Sequence, residues 1–136
     1  MVAPVRTAPV LLRAVTIGIE LVLGLSAVYG GIGLLTGTIG VPDTWLEETP
    51  FGSWLVPGVA LLLVVAVPML TAAVSEVRGW AVATAISATA GLLQVGWIAA
   101  QLLLMHRYDP LQPLVLALAT VLLAATGLRV RSGPGP

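Results

Sequence analysis

Four long apolar runs, separated at three places by polar or helix-breaking residues, set the pattern of this chain. The first run, Ala14 to Leu35, is followed by a connection from Thr36 to Ser53 rich in glycine and proline. Three more runs follow, Trp54–Val74, Gly79–Met105 and Leu111–Leu128. A helix needs ~20 apolar residues to cross a hydrocarbon core ~30 Å thick, so each run is long enough for one crossing. The predicted fold class is an all-α integral membrane protein, a four-helix transmembrane bundle in one domain over 1–131, with 132–136 as a disordered tail.

Within the runs the polar positions are not scattered. On the first span, Arg13, Thr16, Glu20, Gly24, Ala27 and Gly31 fall on one face at 100° per residue, which predicts an inward-packing stripe of small and polar side chains. Ile17, Ile19, Leu21, Leu23, Leu25 and Ile32 occupy the rest, suited to lipid or apolar packing. On the third span Ser87, Ala90, Gln94, Trp97 and Gln101 share a face opposite Ala81, Ala85, Ala88, Leu92 and Ala99. The third span, counted from Gly79, is ~27 residues, roughly 40 Å at 1.5 Å per residue, and has to tilt or protrude.

Breakers and caps refine this outline. Pro4 and Pro9 argue against helix before Arg13. Pro68 lies inside the second span, where it frees the carbonyl of Val64 and predicts a kink. Ser75–Arg78 reads as a tight turn joining spans two and three. In the first connection, Asp43–Glu48 predicts one helical turn with Asp43 as N-cap and Glu47 and Glu48 near its positive end, a short helical outer cap. Trp45, Phe51 and Trp54 are expected at headgroup level. The first run exceeds the ~7–15 residues of a signal-peptide core and contains Glu20, so it reads as a retained span.

Composition agrees and removes several function classes. Of 136 residues, 58% are hydrophobic and 9% charged, with mean hydropathy +1.05, far from the ~25% charged of soluble domains. Formal net charge is zero, so nothing attracts nucleic acid. There is no cysteine and a single histidine, which excludes thiol catalysis, Cys-zinc and iron–sulfur sites. No cofactor and no catalytic constellation are expected: His106 and Asp109 lack a nucleophile at fixed spacing, and His106–Asp109 reads as an interfacial turn.

Charge placement sets an orientation. Arg6, Arg13, Arg78, Arg129 and Arg131 collect on the side of the termini, against Arg107 alone on the other. The positive-inside rule then puts both termini in the cytoplasm and the chain in the plasma (inner) membrane as a multi-pass protein.

Two places carry polar groups at a cost. Glu20 lies about seven residues, roughly 10 Å, beyond Arg13; an ionised, unpaired carboxylate at such depth costs roughly 2.5–3.5 kcal/mol. It is an exchangeable proton site, or a carboxyl pinned by Thr16, Arg13 or an arginine of another span, or one simply protonated and bonded to a backbone carbonyl. Gln94, Trp97 and Gln101, joined by Gln112 and by Trp45 or Trp54, form either an outward cleft for a ligand or hydrogen-bonding glue between spans. The leading expectation is a non-enzymatic membrane protein that acts by helix association, as a homo-oligomer or as the small subunit of a membrane assembly, with membrane lipid around it. The alternative is a small-molecule or lipid-binding transporter using Glu20 and the Gln/Trp cleft, which at this size requires a dimer with Glu20 near the shared interface.

The segments GWIAAQ (Gly96–Gln101) and LQP (Leu111–Pro113), with a glutamate in the first span, resemble the short four-span membrane proteins of actinobacteria over roughly the second half of the chain. That resemblance implies a fold and no activity. A glutamate in the first of four spans is also similar to small multidrug resistance transporters, which implies a proton-coupled carboxylate at Glu20. The 18-residue first connection, the long third span and the tail depart from that pattern.

Overall fold

The structure is a computed structural model that describes residues 3–47, 49–105 and 111–131. Among them there are four long helices and no strand: α1 (Ala3–Thr36), α2 (Leu55–Arg78), α3 (Ala83–Met105) and α4 (Leu111–Arg131). Each contains a stretch long and apolar enough to cross a membrane. Successive helices pack as neighbours and α4 returns to α1, so the bundle closes as a ring with α1 and α3 on a diagonal. The turn His106–Pro110 and the tail 132–136 lie outside the described residues.

Polarity is arranged inside out relative to a protein in water. Leu21, Leu25, Leu63, Leu92 and Leu103 face outward, whereas Thr16, Glu20, Ser75, Glu76, Ser87, Gln94, Gln112 and Thr126 are buried. An apolar surface of that extent suits lipid, and polar groups inside it have to find partners within the bundle. Between the polar groups sits an apolar core of Ile19, Leu23, Ala27, Val65, Ala66, Met69, Ala72, Ala90 and Leu122. The inward stripes expected on α1 and α3 are the buried ones: Thr16, Glu20, Gly24, Ala27 and Gly31 on α1, Ser87, Ala90 and Gln94 on α3. Ile19 and Leu23 join the core, because the buried face of α1 is wider than that stripe.

Four boundaries differ from the sequence pattern. Helix α1 begins at Ala3 and runs for 34 residues: Pro4 falls in its first turn, where no N–H is needed, and Pro9 removes one backbone bond without ending the helix. Pro68 does not end α2, which stays helical through it, and the π-turn Leu62–Ala66 lies just before it, where the proline leaves the backbone bond unmade. Ser75–Arg78 is the last turn of α2 rather than a loop. The chain reverses at Gly79, in the left-handed region at φ 70°, with Gly79 N–H bonded to the Glu76 carbonyl at 3.2 Å and Trp80 N–H to the Ser75 carbonyl at 2.9 Å. Those two bonds define a Schellman cap. Because residues 79–82 belong to this reversal, α3 has 23 residues and no excess length.

The first connection contains one 3-10 turn, Asp43–Leu46. Its N-cap is Pro42 with no side-chain cap bond, so Asp43 does not cap it, and Leu46 instead anchors the turn by burial. The connection folds back on α1, where Ile39 lies against Gly33; an added Cβ at Gly33 would stand 2.3 Å from the Ile39 side chain.

Since a β-carbon disfavours the left-handed conformation, Gly79→Ala is expected to lower bundle stability by about 1 kcal/mol. Denaturant unfolding in mild detergent measures it; an unchanged midpoint contradicts the role given to this cap.

Candidate functional site

Near the end that carries the first connection, the helices part around a cleft of about 330 Å³. Its walls come from all four helices: Leu23, Ala27 and Gly30 of α1, Leu61 and Val65 of α2, Gln94, Trp97 and Gln101 of α3, Gln112 and Val115 of α4. The first connection supplies Ile39, Val41 and Trp45. Gln94 and Gln112 are buried, Trp97 and Gln101 half-buried. The helical spacing of 94, 97 and 101 turns these side chains to one wall, and the diagonal placement of α1 and α3 leaves the space that they face. Trp54 does not line it. Its indole nitrogen is buried without a partner among the described residues.

Among the described residues no charged side chain lines the cleft. Three amides, two indoles and the Ser26 hydroxyl interrupt an otherwise apolar wall. Such a lining can orient an uncharged group by hydrogen bonds while aliphatic and aromatic surface holds the rest.

Glu20 is elsewhere. It is fully buried and absent from the cleft wall, one turn deeper than Leu23. Met69 on α2, Ala90 on α3 and Leu122 on α4 are fully buried between the cleft and that depth and close the way between them. Glu20 is thus enclosed by its own chain's four helices.

At that depth the structure places a polar layer whose centre is Glu76. Ser87 Oγ of α3 donates to Glu76 Oε2 at 3.0 Å, and Arg129 of α4 forms an ion pair with the same oxygen. The Glu76 main-chain carbonyl accepts from Arg13 Nε of α1 at 3.0 Å, and the Val77 carbonyl from Arg13 Nη2 at 3.2 Å. Arg13 thereby serves the open carbonyls of the C-terminal turn of α2, where a cation also meets the negative end of the helix dipole. Sequence reasoning missed Glu76 because the apolar run ends at Val74. The signal that finds it is Gly79, a C′ glycine that carries the helix to Arg78 and turns Glu76 to the same face as Ala72 and Ala73.

Among the described residues no group of three or more His, Cys, Asp or Glu is placed to hold a metal ion. Comparison with family models, with curated proteins and with solved structures finds no match in any of the three.

Removing one partner of a buried ion pair leaves the other charge uncompensated, at about 3–5 kcal/mol. Glu76→Gln is therefore expected to destabilise the bundle by about 3 kcal/mol, and Glu47→Gln, at an exposed position, by much less. Parallel unfolding of both variants checks this, and equal stability of the two refutes it.

Proposed function

We propose that this protein is an integral membrane protein with both termini cytoplasmic, and that its outer half binds an uncharged, largely apolar molecule carrying hydrogen-bonding groups, of lipid or small-molecule origin. The observation that carries the reading is the cleft, where Gln94, Gln101 and Gln112 converge with Trp45 and Trp97 on one uncharged wall. Amides can donate and accept at once, so they suit hydroxyl or carbonyl groups, whereas an ionised ligand would enter without a counter-charge. Nothing in the arrangement supports group transfer. With Met69, Ala90 and Leu122 closing the inner side, binding or presentation within the membrane fits better than passage through one chain.

Orientation rests on the arginine bias: the end holding Arg13, Arg78 and Arg129 is the inner one. Glu47→Cys is then expected to react with an impermeant thiol reagent from outside, and Val82→Cys, exposed in the reversal between α2 and α3, only from inside. Labelling of both from one face overturns the orientation.

Native mass spectrometry of protein released from mild detergent tests the ligand. The wild type is expected to retain an uncharged adduct, and Gln94→Leu/Gln101→Leu to hold it about tenfold less, as the loss of about 1.4 kcal/mol predicts. Solvent extraction of the adduct separates a membrane lipid from another small molecule. No adduct in the wild type, or equal occupancy in both proteins, defeats the reading.

Association is the second reading, favoured by a shallow groove between α3 and α4 lined by small side chains, among them Ala85, Ala88 and Gly127. The same spectra report it, through dimers or higher species that Ala88→Trp abolishes.

A further inference from the structure

Glu20 is fully buried, and both of its carboxyl oxygens lack a hydrogen-bond partner among the described residues. Its surroundings explain why. The polar groups of the layer are Arg13 and Thr16 on α1, Ser75 and Glu76 on α2, Ser87 on α3, and Thr126 and Arg129 on α4. Every hydroxyl hydrogen of the layer is already committed. Thr16 Oγ1 donates to the Leu12 carbonyl at 2.7 Å, Ser75 Oγ to Ala72 at 2.7 Å and Thr126 Oγ1 to Leu122 at 2.8 Å, each within its own helix. Ser87 gives its one hydrogen to Glu76, Arg129 is paired with Glu76, and Arg13 serves the end of α2.

No hydroxyl of the layer therefore has a hydrogen left for Glu20, whereas each can still accept one, since a donating hydroxyl keeps oxygen lone pairs. Charge points the same way. Glu76 and Arg129 pair with each other and Arg13, itself exposed, is held at the end carbonyls of α2, so an ionised Glu20 would leave a second carboxylate unpaired in an apolar interior. Ser87, Glu76 and Arg129 all lie within interaction range of Glu20. One added hydrogen resolves both shortages: a Glu20 carboxylic acid can donate to the free lone pair of Ser87, which donates onward to Glu76.

We propose that Glu20 is the site of one bound proton, held inside a single chain, which joins α1 to the Ser87–Glu76–Arg129 network. The proton sits apart from the cleft and does not compete with a ligand for this carboxyl. The inference does not depend on the cleft being a binding site.

Infrared spectroscopy of the full-length protein, with glutamate labelled by carbon-13 at the side-chain carboxyl, tests it at neutral pH. A protonated-carboxyl band that moves with the label is expected in the wild type and is expected to be absent from Glu20→Gln. That variant should keep its helix content and melting temperature, because a neutral amide can still donate to Ser87. Ser87→Ala, which removes the acceptor, should shift the band's frequency, so the test survives if Glu20→Gln does not fold. Ionised-carboxylate bands alone in the wild type overturn the proposal. So does a protonated band that persists in Glu20→Gln, a frequency unaffected by Ser87→Ala, or a protonated band that appears only after sodium is removed, which would mean a bound metal cation instead.

Discussion

Glu76 is the residue through which all four helices hold one another. It stands on α2, its main-chain carbonyl takes a bond from Arg13 of α1, and its carboxylate binds Ser87 of α3 and Arg129 of α4. Few other contacts in the bundle are directional, since the core around Met69 and Leu122 is aliphatic and tolerates sliding or rotation. Hydrophobic burial against lipid gives little drive for one helix to choose another, because lipid tails are as apolar as leucine. A charged node that is satisfied in one geometry fixes rotation and depth together. The Schellman cap at Gly79 is part of that geometry, for it ends α2 one turn after Ser75 and leaves the carbonyls of Glu76 and Val77 within reach of Arg13.

Above this node the bundle is layered along its axis. The polar layer is covered by Met69, Ala90 and Leu122, and these in turn underlie the cleft of glutamines and tryptophans. The separation has a chemical consequence: among the described residues the buried ion pair lies in the polar layer, while the cleft at the other end is lined by polar but uncharged side chains.

Much of this was legible in the residues. Apolar run length exposed the four helices, and 3.6-residue periodicity placed Gln94, Trp97 and Gln101 on one side of α3, where they line one cleft with Gln112 and Trp45. Helix ends were read less well. Judging the second span by hydropathy stopped it at Val74, so two buried residues, Ser75 and Glu76, passed for a loop. A polar residue is buried or exposed according to what other helices bring to it, and Arg129, fifty-three residues away from Glu76, is invisible to any local window. Asp43 illustrates the converse, since its side chain matches a capping preference that the backbone, entered through Pro42, does not use.

The cleft itself follows from how closely α1 meets α2. At Gly31 and Gly58 the two backbones approach until an added Cβ on either would lie 3.1 Å from the other's carbonyl oxygen. Drawing α1 toward α2 at this level leaves α1 and α3, which are not ring neighbours, with space between them that Trp97 and Gln94 line without filling. The first connection then covers that space because Gly33 admits Ile39 against α1, and the chain passes on to Val41 and Trp45 in the cleft wall. Glycines at 31 and 33 thus act two residues apart and on different partners, one opening the cleft by tightening the helix pair beside it, the other seating the segment that closes over it.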